Sequence, residues 1–146
     1  MTGGAIANTK TYLKRTCVLD ESTWCFTQLQ DMHYQRDAHG VTKYANRYII
    51  AVGSWHGTES TKTCEIYDTT KDQWAMLPSL NESTCAPGLI VMKDRYLYKL
   101  GGTSDIGKIE MLDLQKRDKW IQITTNNKFG NKHTINRCLL YQLPDA

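Results

Sequence analysis

A chain of 146 residues with 40% hydrophobic and 23% charged side chains has the composition of one ordinary folded domain, which excludes the disordered and collagen-like classes. Its formal charge of +3 comes from 18 basic side chains interleaved with 15 acidic ones, so there is no basic stripe for nucleic acid; Lys10, Lys14 and Arg15, the densest basic group, read as a solvated strand edge. No apolar run approaches the ~20 residues of a bilayer-crossing helix, and Met1 to Gly4 has neither the basic nor the apolar part of a secretory leader.

The first predicted elements are two short strands, Cys17 to Asp20 and Phe26 to Leu29, joined by a turn. After a loop to Ala38 come Gly40 to Thr42 and then the apolar strand Arg47 to Gly53. Cys64 to Asp68 follows, with a polar turn at Thr69 to Asp72 and a partner strand Trp74 to Leu77. The turn-rich stretch Pro78 to Ala86 leads into Pro87 to Met92, a turn at Lys93 and Asp94, and Arg95 to Gly102. The last third is looser. Ile109 to Asp113 is followed by Trp120, Gly130 and Arg137 keep the seven-residue spacing of Gly88 and Arg95, and Cys138 to Tyr141 is the final predicted strand.

These elements recur with a step of 48 residues. Asp20 returns as Asp68, Phe26 as Trp74, Leu29 as Leu77, Gly40 as Gly88, Arg47 and Tyr48 as Arg95 and Tyr96, and Gly53 as Gly101. Trp120 arrives one residue later than that register predicts. A repeat of this length marks units that cannot bury their apolar faces alone and stack on one another. Four short antiparallel strands per unit make the chain all-β, built as radially packed blades. Glycine lets the chain leave a strand through torsion angles closed to other residues, and the Asp that ends each third strand favours a tight turn. Phe26, Trp74 and Trp120 are large enough to fill the gap between neighbouring blades.

The cysteines at 17, 25, 64, 85 and 138 form no CxxC pair and are odd in number, so they read as free thiols in a reducing, cytoplasmic setting and not as a disulfide framework or zinc site. Asn81 to Ser83 is formally a glycosylation sequon, a triplet that also arises by chance.

The pattern resembles the kelch repeat. Gly101 and Gly102 match the double glycine that ends the second strand in that family, Gly53 and Ser54 match it by half, and Tyr67 with Trp74 has the family's spacing; Leu19 with Phe26 and Leu112 with Trp120 are degenerate copies. The resemblance implies a β-propeller that binds other proteins, and it leaves the partner unnamed. On this reading residues 1–32 supply strands three and four of a partial blade, 33–80 and 81–124 are blades, and 125–146 supply strands one and two of another partial blade. That makes about three blade equivalents, fewer than the roughly four to eight of closed rings. The pair Gly3 and Gly4 resembles the end of a second strand whose beginning is missing, which favours a segment of a longer propeller first. A six-bladed ring closed by a second copy comes next.

In a propeller, the loops between strands two and three and those between blades gather on one face. Here these hold the candidate partner-binding residues: Trp55, His56 and Glu59; His33, Tyr34 and Arg36; Glu82 and Ser83; and Ser104 and Asp105. An exposed Trp is a preferred hot spot, although Trp55 can equally fold back over its own blade. Arg36 can clamp an acidic partner group, yet it also falls where many kelch repeats carry an Arg, which assigns it to holding blade to blade.

Some propellers of this kind are oxidases or sugar isomerases. The four histidines, at 33, 39, 56 and 133, show no metal-ligand spacing, and there is no nucleophile elbow, P-loop or dinucleotide fingerprint. The expectation is therefore a non-catalytic scaffold or adaptor with no cofactor and no metal, binding a protein through its blade loops. The alternative is a structural segment of a larger filament or complex.

Overall fold

The computed structural model describes residues 1–103 and 107–124. Among them are ten strands and no helix: β1 (Thr16–Asp20), β2 (Cys25–Leu29), β3 (Gly40–Tyr44), β4 (Tyr48–Val52), β5 (Cys64–Asp68), β6 (Gln73–Leu77), β7 (Gly88–Met92), β8 (Tyr96–Leu100), β9 (Ile109–Asp113) and β10 (Trp120–Ile123). The expected strand Cys138 to Tyr141 lies outside the described residues.

The strands form sequential antiparallel sheets, β3-β4-β5-β6 and β7-β8-β9-β10, beside the pair β1-β2. These are the expected kelch-type blades, two of them with four strands. The pairing repeats with the sequence: Leu19 lies opposite Phe26, Tyr67 opposite Trp74, and Leu112 opposite Trp120. The late arrival of Trp120 is thus absorbed in the β9–β10 turn, where an extra residue is cheap, and the ladder keeps its register.

Local chemistry explains the turns. Ala45 with Asn46, and Lys93 with Asp94, all have positive φ, as a tight hairpin with the twist of its strands requires. At the end of β1, β5 and β9, the carboxylates of Asp20, Asp68 and Asp113 accept the backbone N–H two residues on, at 2.8, 3.0 and 3.0 Å. Arg47 Nη2 also bonds Asp68 at 2.6 Å, and Arg95 Nη2 bonds Asp113 at 2.6 Å; each guanidinium lies about 5 Å from the ring of the next residue, Tyr48 or Tyr96. These bonds hold the Asp68 carboxyl well below the usual range and bring that of Asp113 to about 2.

Two apolar clusters lie between the sheets. Ile50, Ile66, Leu97, Leu112 and Trp120 belong to one, and Met32, Ala51, Tyr67 and Trp74 to the other. Both tryptophans reach the segment that precedes their own sheet. Trp74 Nε1 donates to Thr16 Oγ1 at 3.0 Å and to the Gln30 carbonyl at 3.1 Å; Trp120 Nε1 donates to the Pro78 carbonyl at 2.9 Å. Phe26, in the same register, departs from expectation. It is 59% exposed, because among the described residues no sheet precedes β1-β2 for it to pack on.

Gly53 shows why the repeat needs glycine here. Its φ is 64°, and a Cβ would stand 2.5 Å from the Thr84 carbonyl oxygen. Gly3, with φ 62°, meets the Arg36 carbonyl in the same way. Ser54 N then bonds the Thr84 carbonyl, as Gly4 N bonds that of Arg36. Gly3 and Gly4 therefore occupy the place where a second strand ends, and Thr2 is bridged to Thr16 of β1.

Candidate functional site

The loops at one end of the sheets hold the candidate residues. The linker 30–39, between β2 and β3, is organised by Glu65, whose side chain is fully buried on β5. Its Oε1 accepts Arg36 Nη2 at 2.9 Å, Arg36 Nε at 3.2 Å and Tyr34 N at 3.3 Å, while Oε2 accepts His33 N at 2.8 Å and lies 2.7 Å from His33 Nδ1. Burial alone would raise the Glu65 carboxyl. The hydrogen bonds from His33 and Arg36 outweigh it, so the carboxyl is held below its ordinary value.

Arg36 is completely buried, with Nη1 donating to the Gly53 and Thr63 carbonyls at 2.8 and 2.9 Å. As a partner contact it is corrected: a guanidinium with no exposed surface, spent on a carboxylate and two carbonyls, holds the linker to the sheet instead. The same clamp turns its neighbours outward. The His33 side chain is 52% exposed and Tyr34 is 45% exposed.

Trp55 is half-buried and pinned, with its N bonded to the Asp37 carbonyl at 2.8 Å and a bridge to Ser60. His56 is also half-buried: Nε2 lies 2.8 Å from the Gln35 carbonyl, and the ring stacks on Tyr12 at 6.4 Å. Glu59 is exposed, and its carbonyl accepts His56 N at 3.0 Å. The loops 33–37 and 55–60 are thus bonded into one surface. Tyr12 and Gln35 belong to it and carry no sequence signal of their own, since only the fold brings them beside His56.

Glu82 and Ser83 lie on the other linker, 78–87. Glu82 is exposed and paired with Lys108, and Ser83 is half-buried. Ser104 and Asp105 lie outside the described residues. Among the described residues no three of His, Cys, Asp or Glu converge as metal ligands, and no helix is long and apolar enough to cross a membrane.

Comparison with known proteins agrees with this architecture. Residues 45–81 match the kelch motif, a span that runs from the β3–β4 turn through the end of β6. The chain is 28% identical over 119 residues to Kelch-like protein 40 of Xenopus tropicalis, covering 80% of this chain and 19% of that protein; the values for Kelch-like protein 40 of Xenopus laevis are the same. The chain therefore spans about a fifth of the length of these curated relatives.

Proposed function

We propose, from the premise that the chain belongs to the kelch-repeat family, that it is a protein-interaction scaffold whose partner docks on the loop surface formed by His33, Tyr34, Gln35, His56 and Glu59. The observation that carries this reading is the bond between the two loops, His56 Nε2 to the Gln35 carbonyl at 2.8 Å, with Tyr34 held outward by the Glu65 clamp. Loops fixed before the partner arrives lose little conformational freedom on binding, and an exposed Tyr brings a large rigid area with a polar tip. His33, with Nδ1 against the buried carboxylate, keeps its other ring nitrogen for a partner group. No catalytic step, cofactor or nucleic acid enters this reading. It sets the chain in the cytoplasm, where an exposed thiol such as Cys25 stays reduced.

The test is a photo-crosslinking amino acid placed at Tyr34 and, as a control, at Thr70 in the β5–β6 turn at the opposite end of the sheet. The expected outcome is a discrete protein adduct from position 34 and none from position 70. Equal adducts from both positions, or none from either, would end the reading. The second reading, a structural segment of a larger assembly, is favoured by one observation: Phe26 and Val18 of the β1-β2 pair are largely exposed.

A further inference from the structure

At the turn end of the sheet β3-β4-β5-β6, on the face packed against the next sheet, there is a cleft of about 230 Å³. Its floor follows the strand register. Tyr48, Asp68 and Gln73 lie side by side across β4, β5 and β6, and Ile66 with Ala75 forms the next row. The small Ala75 keeps this floor open, whereas the equivalent places opposite Val18 and Met111 hold the larger Thr27 and Ile121. A volume below the roughly 300–1,000 Å³ of sites for drug-sized ligands suits one side-chain-sized group.

Two cations also line the cleft, Lys71 from the β5–β6 turn and Arg117 from the β9–β10 turn of the next sheet. Arg117 is held in place. It stands four residues after Asp113, as Asp72 does after Asp68, with φ 52° and 50° at the two positions. Both reach the preceding segment: Asp72 accepts the Gln30 N–H at 2.8 Å, and the Arg117 guanidinium lies 5.7 Å from the centre of the Tyr48 ring. Arg117 Nε donates to the Leu114 carbonyl at 2.9 Å, and its two terminal nitrogens have no acceptor among the described residues. Lys71 makes no ion pair among them either. The carboxylate in the cleft, Asp68, is already bonded by Arg47 at 2.9 and 2.6 Å and by Thr70. Two unanswered positive charges therefore border an apolar floor.

We infer that this cleft binds a phosphate monoester carried on a planar apolar group. A phosphoryl group, with a charge of about −1.5 to −2 at neutral pH, answers Lys71 and Arg117 together, whereas a carboxylate answers only one of them. The free fork of Arg117 matches two phosphate oxygens, and Lys71 adds a point charge. The Tyr48 ring, Ile66 and Ala75 receive the planar group, which a phosphoserine would leave uncovered. The exposed Gln73 amide makes no side-chain hydrogen bond among the described residues and is one further donor. This is the chemistry of a phosphorylated tyrosine side chain or of a free aryl phosphate. The cleft lies at the end of the sheet opposite the loops 33–37 and 55–60, so the inference does not rest on the loop-surface reading.

The test is titration of the full chain with phenyl phosphate, followed by the backbone amide resonances of Lys71, Gln73, Ala75 and Arg117. Saturable shifts are expected at these positions. Lys71→Ala and Arg117→Gln should each weaken binding about tenfold or more, while Lys116→Ala, which removes an equal charge from the same turn outside the cleft, should leave it unchanged. Circular dichroism reports whether each variant keeps its sheets; should Arg117→Gln unfold, Lys71→Ala carries the test, since that exposed side chain bonds nothing among the described residues. No saturable shift below about 10 mM overturns the inference, as does an equal loss in all three variants or in none. Benzoate binding as tightly as phenyl phosphate overturns the dianion, and inorganic phosphate binding as tightly overturns the planar group. A short phosphotyrosine peptide that binds at least as well as phenyl phosphate assigns the ligand to a protein side chain; a weaker peptide assigns it to a free aryl phosphate. Because Thr70 adjoins the cleft, the crosslinking control at position 70 is read in phosphatase-treated extract, where no phosphorylated partner can occupy it.

Discussion

At the linker that leads into the β3–β6 sheet, the buried carboxylate of Glu65 meets the guanidinium of Arg36 at 2.9 and 3.2 Å; at the linker that leads into the β7–β10 sheet, the buried carboxylate of Glu110 meets the ammonium of Lys99 at 4.0 Å. The carboxylate keeps its place in the repeat, and the cation changes its source. Ala51, opposite Glu65 on β4, leaves the space that the Arg36 side chain enters from the linker. Lys99, opposite Glu110 on β8, fills that space from within the sheet, and the linker position of Arg36 is taken by Thr84, whose buried Oγ1 has no hydrogen-bond partner among the described residues. His33 is replaced by Asn81, whose N and Nδ2 bond Glu110 at 3.0 and 2.5 Å. What is required at this place is a neutralised, hydrogen-bonded carboxylate that ties linker to sheet; which residue supplies the positive charge is negotiable. The choice still has consequences. An Arg fork can bind a carboxylate and two carbonyls together, whereas a Lys acts as a compact point charge.

The largest effect follows from breaking the first linker. Arg36→Ala leaves Glu65 buried without its cation and should cost about 3–5 kcal/mol, whereas Thr84→Val removes a hydroxyl that bonds nothing among the described residues and should change stability by less than about 1 kcal/mol. Urea unfolding of both variants checks this, and equal losses would erase the distinction between the linkers.

Acid should act on the first linker before the second. Burial holds the His39 imidazole down to about 4, helped by the nearby Arg36 charge and opposed by Asp37 and Glu65; the equivalent residue of the second linker is Pro87, which does not titrate. Between about pH 6.5 and 4 the unfolded chain binds a proton at His39 that the folded chain does not. Stability is therefore full above that window and falls as pH drops through it, by on the order of 2–3 kcal/mol. Below it the lowered carboxyls, Glu65 among them, add further losses. Melting temperature against pH should show this slope in the wild type and lose it in His39→Gln. A slope that survives the substitution assigns the titration elsewhere.

The smallest effects separate the supporting residues. His33→Ala should cost under about 1 kcal/mol, since Glu65 keeps Arg36 and two backbone N–H groups. Asn81→Ala should cost more, about 1.5–2 kcal/mol, because Glu110 then retains one backbone N–H and a more distant Lys. Denaturation midpoints in the reverse order would mean that the Lys99 contact is the stronger of the two.

Much of the fold was legible because the strands are local and their pattern repeats. The 48-residue step placed Tyr67 opposite Trp74 and Leu19 opposite Phe26, the glycines marked strand ends, and each Asp marked a turn. The candidate site was legible only as a set of loops. Trp55 looked equally able to face a partner or its own blade, and His56 carried no hint of Gln35 or Tyr12, since those contacts join residues 21 and 44 positions apart in the sequence that the period does not relate.

By itself the amino-acid sequence determined the all-β class, the strands, their register and the blade-like repeat, because alternation, turn chemistry and the positions of glycine act within a few residues of one another. Only the tertiary structure decided which cation serves each buried carboxylate, that Phe26 lies bare where Trp74 and Trp120 are covered, and that Asp20 ends its strand with no Arg beside it among the described residues. Those outcomes depend on which sheet stands next to which, and on the cost of leaving a charge or an aromatic ring without a neighbour.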